Sequence, residues 1–505
     1  MIILTGNDLT LDQVIRTSEG RERVVISKGA IDRVKSSRTE VENFVNSGRS
    51  IYGVTTGFGD LISEKISVDQ LKELQRNLIR SHASGYGKPL DTRTVRAMML
   101  VRANSLSKGV SGVRPELIQS LLDMLNKNII PYIPEKGSVG SSGDLSPLAH
   151  LALTLIGEGR VIDNGKVVDS QSVFDQKGLQ PVTLEAKEGI SLINGTSYML
   201  ANLSLGYADS ENLLKHAIIA AGMSMHLLSA TEKALNCGLF YARPHTEHGT
   251  VAMALKSVVQ GSERVRKGTE TKMQDAYSLR CVPTVLGSVL QTMNYVKAIV
   301  NTELNSATDN PLVLPEVVSG CNFHGEPLAL AADYLSIALT DLGNISERRT
   351  FRILDKSLSG LGPFLADKPG VESGLMIPQY VAAALCNENK VLAYPSSADN
   401  IPTSANQEDH NSMGGTATRK LREIAYNVKG IVAIEMLVSY KGMEMYGVSG
   451  KHLNTAYSIL NETIGEFRGD KESTTAIEKI SKLIDSRKML DEIPVRLDRS
   501  VASSS

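Results

Sequence analysis

Closely spaced cysteines, a run long enough to cross a bilayer and an excess of either charge are all missing from this chain. Its four cysteines, Cys237, Cys281, Cys321 and Cys386, are far apart. No pair has the short spacing of a zinc or redox motif, and scattered cysteines suit a reducing compartment. The longest nearly apolar stretch, residues 217–230 (AIIAAGMSMHLLSA), is too short and too polar to span a membrane. The start, MIILTGNDLTLD, shows no basic region followed by an apolar core, so no signal peptide is expected and the cytoplasm is the default location. A net charge of −1 gives no footprint for nucleic acid or an anionic membrane.

What is present is a large packed core. The chain has 505 residues, 42% of them apolar, which argues against disorder and for more than one domain or one large fold with a helical extension. There is no internal repeat. The first 200 or so residues are mixed, with short apolar runs among many glycines and serines. Residues 1–6 predict a short strand, and Asn7 or Asp8 a helix cap before LTLDQVI. Residues 51–59 (IYGVTTGFG) read as a loop. Beyond residue 200, segments 198–236, 327–355 and 415–446 carry apolar residues at helical spacing. The first is apolar nearly all round, so it belongs among other helices, and lengths of this kind predict a bundle shared between subunits. A glycine- and proline-marked loop is expected at 357–376 and a frayed end at VASSS. The domain expectation is an N-terminal region at 1–197, carrying a special loop at 137–146, and a helical bundle with C-terminal helices at 198–505.

That loop is the part of KGSVGSSGDLSPLAH (136–150) in which three glycines and three serines stand within seven residues. A surface linker is one reading, but the segment runs straight into a helix that Ser146 would cap and Pro147 would begin, ending at Gly157 or Gly159. A phosphate cradle is a second. Gly137, Gly140 and Gly143 do not match the dinucleotide pattern, and Asp144 stands where a P-loop needs lysine and would repel phosphate. The third is self-modification. The Gly143 nitrogen could attack the Ser141 carbonyl carbon in a tightly bent backbone, because glycine tolerates unusual dihedrals. Loss of two waters would then turn Ser142 into a dehydroalanine unit in a five-membered ring, 4-methylidene-imidazole-5-one (MIO). The positive end of the following helix would favour negative charge on it.

GSVGSSGDLSPLAHLAL resembles the signature of the aromatic amino acid ammonia-lyase family, whose usual triad is Ala-Ser-Gly; here Ser141 replaces the alanine. Companion motifs follow in the family's order: YGVTTGFG (52–59), NLIRSHASG (77–85), INGTS (193–197), QDAYSLRC (274–281), ELNSATDNP (303–311), NFHGEP (322–327), SERR (346–349) and NQEDHNSMG (406–414). They cover nearly the whole chain.

The resemblance implies a mainly α fold: a long-helix bundle shared in a homotetramer, with a smaller mixed N-terminal region carrying the MIO loop. It implies a carbon–nitrogen lyase with MIO formed from Ser141, Ser142 and Gly143, no external cofactor and no metal. Tyr52 matches the family's catalytic base, and a phenol needs nearby positive charge or donated hydrogen bonds to serve near neutrality. Ser142, once dehydrated, would take the substrate amine, or its aromatic ring. Arg280 matches the clamp on the substrate carboxylate, a role that suits its bidentate fork. Asn194, Gln274, Tyr277 and Phe323 match pocket residues.

For the substrate, Ser81-His82 and Glu408 match histidine-specific members. A carboxylate suits an imidazole N–H and is poorly compensated beside a phenyl ring. The expected reaction is deamination of L-histidine to trans-urocanate and ammonia. The alternative is a tyrosine or phenylalanine ammonia-lyase or 2,3-aminomutase, since Val282 and Thr284 depart from SLRCQPQ and Arg-Ser-His also occurs in tyrosine-active members. A non-catalytic helical assembly is a further rival. The fumarase-type loop GSSxMPxKxNP is absent. Among the other histidines, His245 and His248 have no evident third ligand, and His150, His216 and His226 read as core or interface residues. Residues 261–272 (GSERVRKGTETK) are expected as an exposed loop that could act as a lid.

Overall fold

The computed structural model describes residues 1–47, 70–267 and 273–498. It divides into two compact units, one of Met1–Gly206, Val296–Asp333 and Pro395–Arg419, the other of Tyr207–Tyr295, Tyr334–Tyr394 and Lys420–Ser505. The fold is mainly α, and the described strands all lie in the first unit. They are short: Ile2–Leu4 pairs parallel with Val24–Ile26, Tyr86–Pro89 antiparallel with Pro134–Lys136, and Arg160–Asp163 lies between Ile130–Pro131 and Lys166–Asp169. A hairpin joins Leu312–Leu314 to Glu316–Val318.

The three long apolar segments are helices Ser197–Leu227, Glu326–Leu354 and Gly414–Tyr446, of 31, 29 and 33 residues. The first ends nine residues sooner than its periodicity predicts. Its last turn is caught by Arg264, whose guanidinium donates to the carbonyls of His226 (3.2 Å) and Leu227 (3.0 Å), and Ser229 then turns to φ +47°. Free carbonyls at a helix C-terminus attract a cation for this reason. Arg266 adds bonds to the Ser229 carbonyl and to Asp275. The described part of the expected lid, 261–267, is therefore anchored rather than free; 268–272, loop 51–59 and the VASSS end lie outside the described residues.

Two cap positions also differ from expectation. The first helix is Leu11–Ser18, capped by Thr10 in a reciprocal box with Gln13, because Thr10 and Gln13 satisfy two free N–H groups where Asn7 or Asp8 would satisfy one. The helix after the glycine-rich loop is Leu145–Leu155 with Asp144 at its cap position, two residues earlier than a cap at Ser146 and a start at Pro147.

Helix Thr92–Ser107 is buried on nearly every side although it carries Arg96, Arg102 and Asn104. Each reaches backbone oxygens: Arg96 those of Thr17 and Leu125, Asn104 that of Leu304, Arg102 those of Ser191 and Asn194. Buried polar groups survive when bonded in this way. In the second unit the SERR motif has a structural use. Ser346 and Arg349 both bind Glu435, at 2.6 Å, and Ser224 bonds the same carboxylate at 2.6 Å. Arg349 and Glu435 are fully buried. Arg349→Met strands the carboxylate and is expected to cost about 3–5 kcal/mol. The thermal midpoint should fall sharply, and Glu435→Gln added to Arg349→Met should recover part of it.

Candidate functional site

The loop from Gly137 to Asp144 is folded back on itself by three glycines with positive φ: Gly137 (+141°), Gly140 (+71°) and Gly143 (+76°). At Gly143 there is a second reason for glycine. It lies in an isolated parallel bridge with Gly195, and a β-carbon there would overlap the Gly195 carbonyl. The Asp144 N–H donates to that carbonyl at 2.7 Å, and the Asn194 side-chain amide donates to the Ser142 carbonyl at 3.0 Å. INGTS therefore clamps one side of the loop. The other side is held by NQEDHNSMG and NFHGEP. Met413 N–H donates to the Val139 carbonyl (2.8 Å), while Ser412 Oγ (2.9 Å) and Gly325 N–H (3.1 Å) both donate to the Gly140 carbonyl.

Within this frame Ser141 and Ser142 both point their hydroxyls at Glu408. Ser142 Oγ donates to Oε1 at 2.6 Å, and Ser141 Oγ to Oε2 at 3.0 Å. Thr403 Oγ1 donates to the same Oε2 at 2.9 Å, across an antiparallel bridge that joins the backbones of Thr403 and Glu408. His82 ends helix Leu71–His82, with Nδ1 2.9 Å from the Leu78 carbonyl. Burial lowers its pKa, against the Leu78 carbonyl and the negative charge of Glu408, which both favour the cation. The net effect of burial is to favour the neutral imidazole.

Asp144 is fully buried. Its Oδ2 accepts from the N–H groups of Tyr198 (2.9 Å) and Met199 (3.0 Å), the first turn of helix Ser197–Leu227, and its Oδ1 accepts from Ser138 Oγ (2.7 Å). Its backbone begins helix Leu145–Leu155. One residue thus fixes two helix N-termini at the tripeptide. Behind INGTS, the fully buried Arg102 bonds the Ser191 and Asn194 carbonyls, and a β-carbon on Gly195 would collide with its guanidinium. Lys187 and Asp309, also fully buried, pair at 3.4 Å, with Ser191 and Ser111 completing their bonds.

The first unit therefore gathers Ser141, Ser142, Gly143, Asn194, His82 and Glu408. Phe323, half-buried, sits two residues before Gly325. Gln274, Tyr277 and Arg280 belong to the second unit. There the Arg280 guanidinium lies 4.6 Å over the Tyr277 ring, and Gln274 and Arg280 line a cavity of about 370 Å³ with Phe240, His248 and Asp275. Tyr52 lies outside the described residues. Sequence reasoning missed Asp144 as a structural acceptor, Gly195, Arg102 and Thr403. The first two stand inside quoted motifs and were legible in principle; nothing local marks the other two.

Among the described residues, one trio of metal-capable side chains, His324, Glu326 and His410, has its ligand atoms within 4.8 Å of one another. His324 Nδ1 accepts from the Glu326 N–H and Nε2 lies 3.3 Å from the His410 carbonyl, so both ring nitrogens already have partners. Of the other histidines, His245 and His248 stack at 4.6 Å, His150 accepts from Gly85 N–H, and the buried His216 and His226 bond Asn212 and Gly447. No helix among the described residues is long and apolar enough to cross a membrane.

Comparison with known proteins bears on this arrangement. Residues 9–462 match the family model described as aromatic amino acid lyase. A probable histidine ammonia-lyase of Thermoplasma volcanium is 48% identical over 97% of this chain and the whole of its own length. The crystal structure of histidine ammonia-lyase from Trypanosoma cruzi superposes with a TM-score of 0.91 at 40% identity, over 97% of this chain and 94% of that one. Tyrosine aminomutase from Streptomyces globisporus gives 0.94 at 33% identity, over 98% of this chain and all of its own.

Burial pushes the Asp144 carboxyl up to about 7, against the donors from Met199, Ser138 and Tyr198 and the charge of Arg102. A carboxyl whose proton is held more tightly in the fold than at its ordinary 3.8 stabilises the fold fully below about pH 4, and that contribution is lost as pH rises through about 7. Asp144→Asn cannot titrate, yet its amide can accept from the helix and donate to Ser138. The thermal midpoint of the unsubstituted chain relative to Asp144→Asn should therefore drop between pH 5 and pH 8.

Proposed function

The chain belongs to the aromatic amino acid lyase family, and on that premise we propose that it deaminates L-histidine to trans-urocanate and ammonia, using MIO made from Ser141, Ser142 and Gly143. One observation carries the assignment: Glu408, a carboxylate, faces the very serines that the ring would be made from. A carboxylate is compensated by an imidazole N–H and left unpaired by a phenyl ring.

The residues present fit the prosthetic group. Gly143 has the positive φ and the bare α-carbon that a tight closure onto the Ser141 carbonyl needs, and Gly195 leaves no space for any other residue. Closure joins Gly143 N to the Ser141 carbonyl carbon, whose oxygen leaves as water; the Ser142 hydroxyl and α-hydrogen leave as the second. MIO supplies an electrophilic methylidene carbon that turns the substrate's amine into a leaving group.

The remaining work falls to side chains. Asn194 holds the Ser142 carbonyl oxygen and stabilises negative charge there, helped by the two helix N-termini that meet at Asp144. Glu408 accepts the substrate imidazole N–H, and neutral His82 lines the ring's place without competing for that carboxylate as a cation. Arg280 clamps the substrate carboxylate with donors that include Nε, buried and without a hydrogen-bond partner among the described residues. Gln274, Tyr277 and Phe323 shape the pocket. Tyr52 removes the β-hydrogen, a role resting on YGVTTGFG alone. Holding these groups in place is mainly a positioning effect, of the kind worth about 7–11 kcal/mol.

A cytoplasmic homotetramer completes the proposal. The oligomer is supported by helix Met376–Leu392, which leaves Ile377, Tyr380, Val381 and Val391 exposed along one face. Sedimentation should return four chains.

Peptide mapping of the purified protein should find the 137–150 segment two waters lighter than its sequence, and L-histidine should produce urocanate absorbance. Glu408→Gln removes a charge-assisted bond to the imidazole, so kcat/KM for histidine should fall about 10- to 100-fold. Unchanged histidine turnover in Glu408→Gln, or faster turnover of tyrosine than of histidine, favours the tyrosine- or phenylalanine-acting alternative. A full-mass segment at 137–150 with no turnover removes the lyase assignment.

A further inference from the structure

We propose that Ser141 is a positioning residue for substrate recognition: its hydroxyl, which the family's usual alanine lacks, tethers Glu408 so that one carboxylate oxygen is fixed and the other is presented to the imidazole. The inference rests on the proposed function and extends it to a side chain that departs from the family's usual triad.

The geometry separates the two oxygens. Oε2 is held twice, by Ser141 Oγ at 3.0 Å and by Thr403 Oγ1 at 2.9 Å. Oε1 is held by Ser142 Oγ alone, at 2.6 Å. Ring closure removes the Ser142 hydroxyl and leaves the Ser141 side chain attached. Oε1 therefore loses its only hydroxyl partner among the described residues, while Oε2 keeps both of its own. The carboxylate that results is pinned at one oxygen and open at the other, which is what a single imidazole N–H requires. Ser141 is buried and Thr403 is tied to Glu408 through the backbone bridge, so neither donor is free to wander. A glutamate side chain has three rotatable bonds, and locking it before the substrate arrives removes an ordering cost from binding.

A purely structural serine would affect all ligands alike; a tether on Glu408 affects those with an imidazole. The test compares Ser141→Ala, Ser141→Thr and the unsubstituted chain with two unreactive ligands, 3-(imidazol-4-yl)propionate and 3-phenylpropionate, by calorimetry. Mass spectrometry of the 137–150 peptide is run on the same samples. Ser141→Ala should carry the two-water loss, as the family's Ala-Ser-Gly does, and should bind the imidazole ligand about five- to tenfold more weakly, in keeping with one lost hydrogen bond to a charged group. Its affinity for the phenyl ligand should be unchanged. With L-histidine, KM should rise by a larger factor than kcat falls. Ser141→Thr keeps the hydroxyl and should restore the imidazole affinity. The proposal is overturned if dehydrated Ser141→Ala binds both ligands as the unsubstituted chain does, or weakens for both equally. It is also overturned if Ser141→Ala stays at full mass, since the hydroxyl would then act in closure. Failure of the proposed function is read separately, from the mass and histidine turnover of the unsubstituted chain.

Discussion

Two backbones meet at Gly143 and Gly195 with no β-carbon between them, and the candidate site is organised around that meeting. Because the Gly195 carbonyl occupies the place of a side chain at position 143, the tripeptide must bend there, and the bend turns the Ser142 carbonyl toward Asn194. The same constraint runs one layer deeper. Gly195 has φ +146° and lies against the Arg102 guanidinium, which in turn holds the Ser191 and Asn194 carbonyls. Only the Nη2 donor of Arg102 is used in this way; Nε and Nη1 have no hydrogen-bond partner among the described residues, so the INGTS turn satisfies this buried cation in part.

Asp144 links this contact to the helices. It could have capped its own helix, as an acidic residue at that position often does. It reaches instead for the first turn of helix Ser197–Leu227 while its backbone opens Leu145–Leu155. Two helix N-termini therefore converge beside Ser142. Each aligned set of peptide dipoles favours negative charge at its start, and the effect is strongest where water is excluded. The glycine-rich loop is thus neither a linker nor a phosphate cradle. Its one acidic residue is consumed internally, and the hydroxyls of Ser141 and Ser142 are both spent on Glu408.

Legibility in the sequence followed the range of the interaction. Helical periodicity located the three long helices to within a residue at their starts, because burial on most faces leaves an unmistakable pattern. The first helix ends before its periodicity does because Arg264, 37 residues beyond Leu227, catches its carbonyls, and no window of local sequence holds that information. Thr10 displaces Asn7 and Asp8 as the cap through a reciprocal partner, Gln13, three residues further on. Motif order singled out Ser141, Ser142, Gly143, Asn194, His82 and Glu408, and all six lie in the first unit. Thr403 and Arg102 were invisible, since each acts through a fold-dependent contact.

A fold of this kind does not choose a substrate; side chains grafted onto it do. The choice here turns on how a carboxylate is kept next to a reactive loop. An unbonded Glu408 would be drawn toward water and away from a ring-shaped ligand. Before ring closure three hydroxyls, from Ser141, Ser142 and Thr403, hold it inward at 2.6–3.0 Å, and those of Ser141 and Thr403 would remain once the Ser142 hydroxyl is lost. A partner for that charge must bring a hydrogen-bond donor of its own, which the imidazole N–H of histidine does and the phenyl ring of phenylalanine does not. On the reading proposed above, the extra hydroxyl at position 141 would support that carboxylate, while the backbone atoms from which the ring would be built stay as they are in Ala-Ser-Gly.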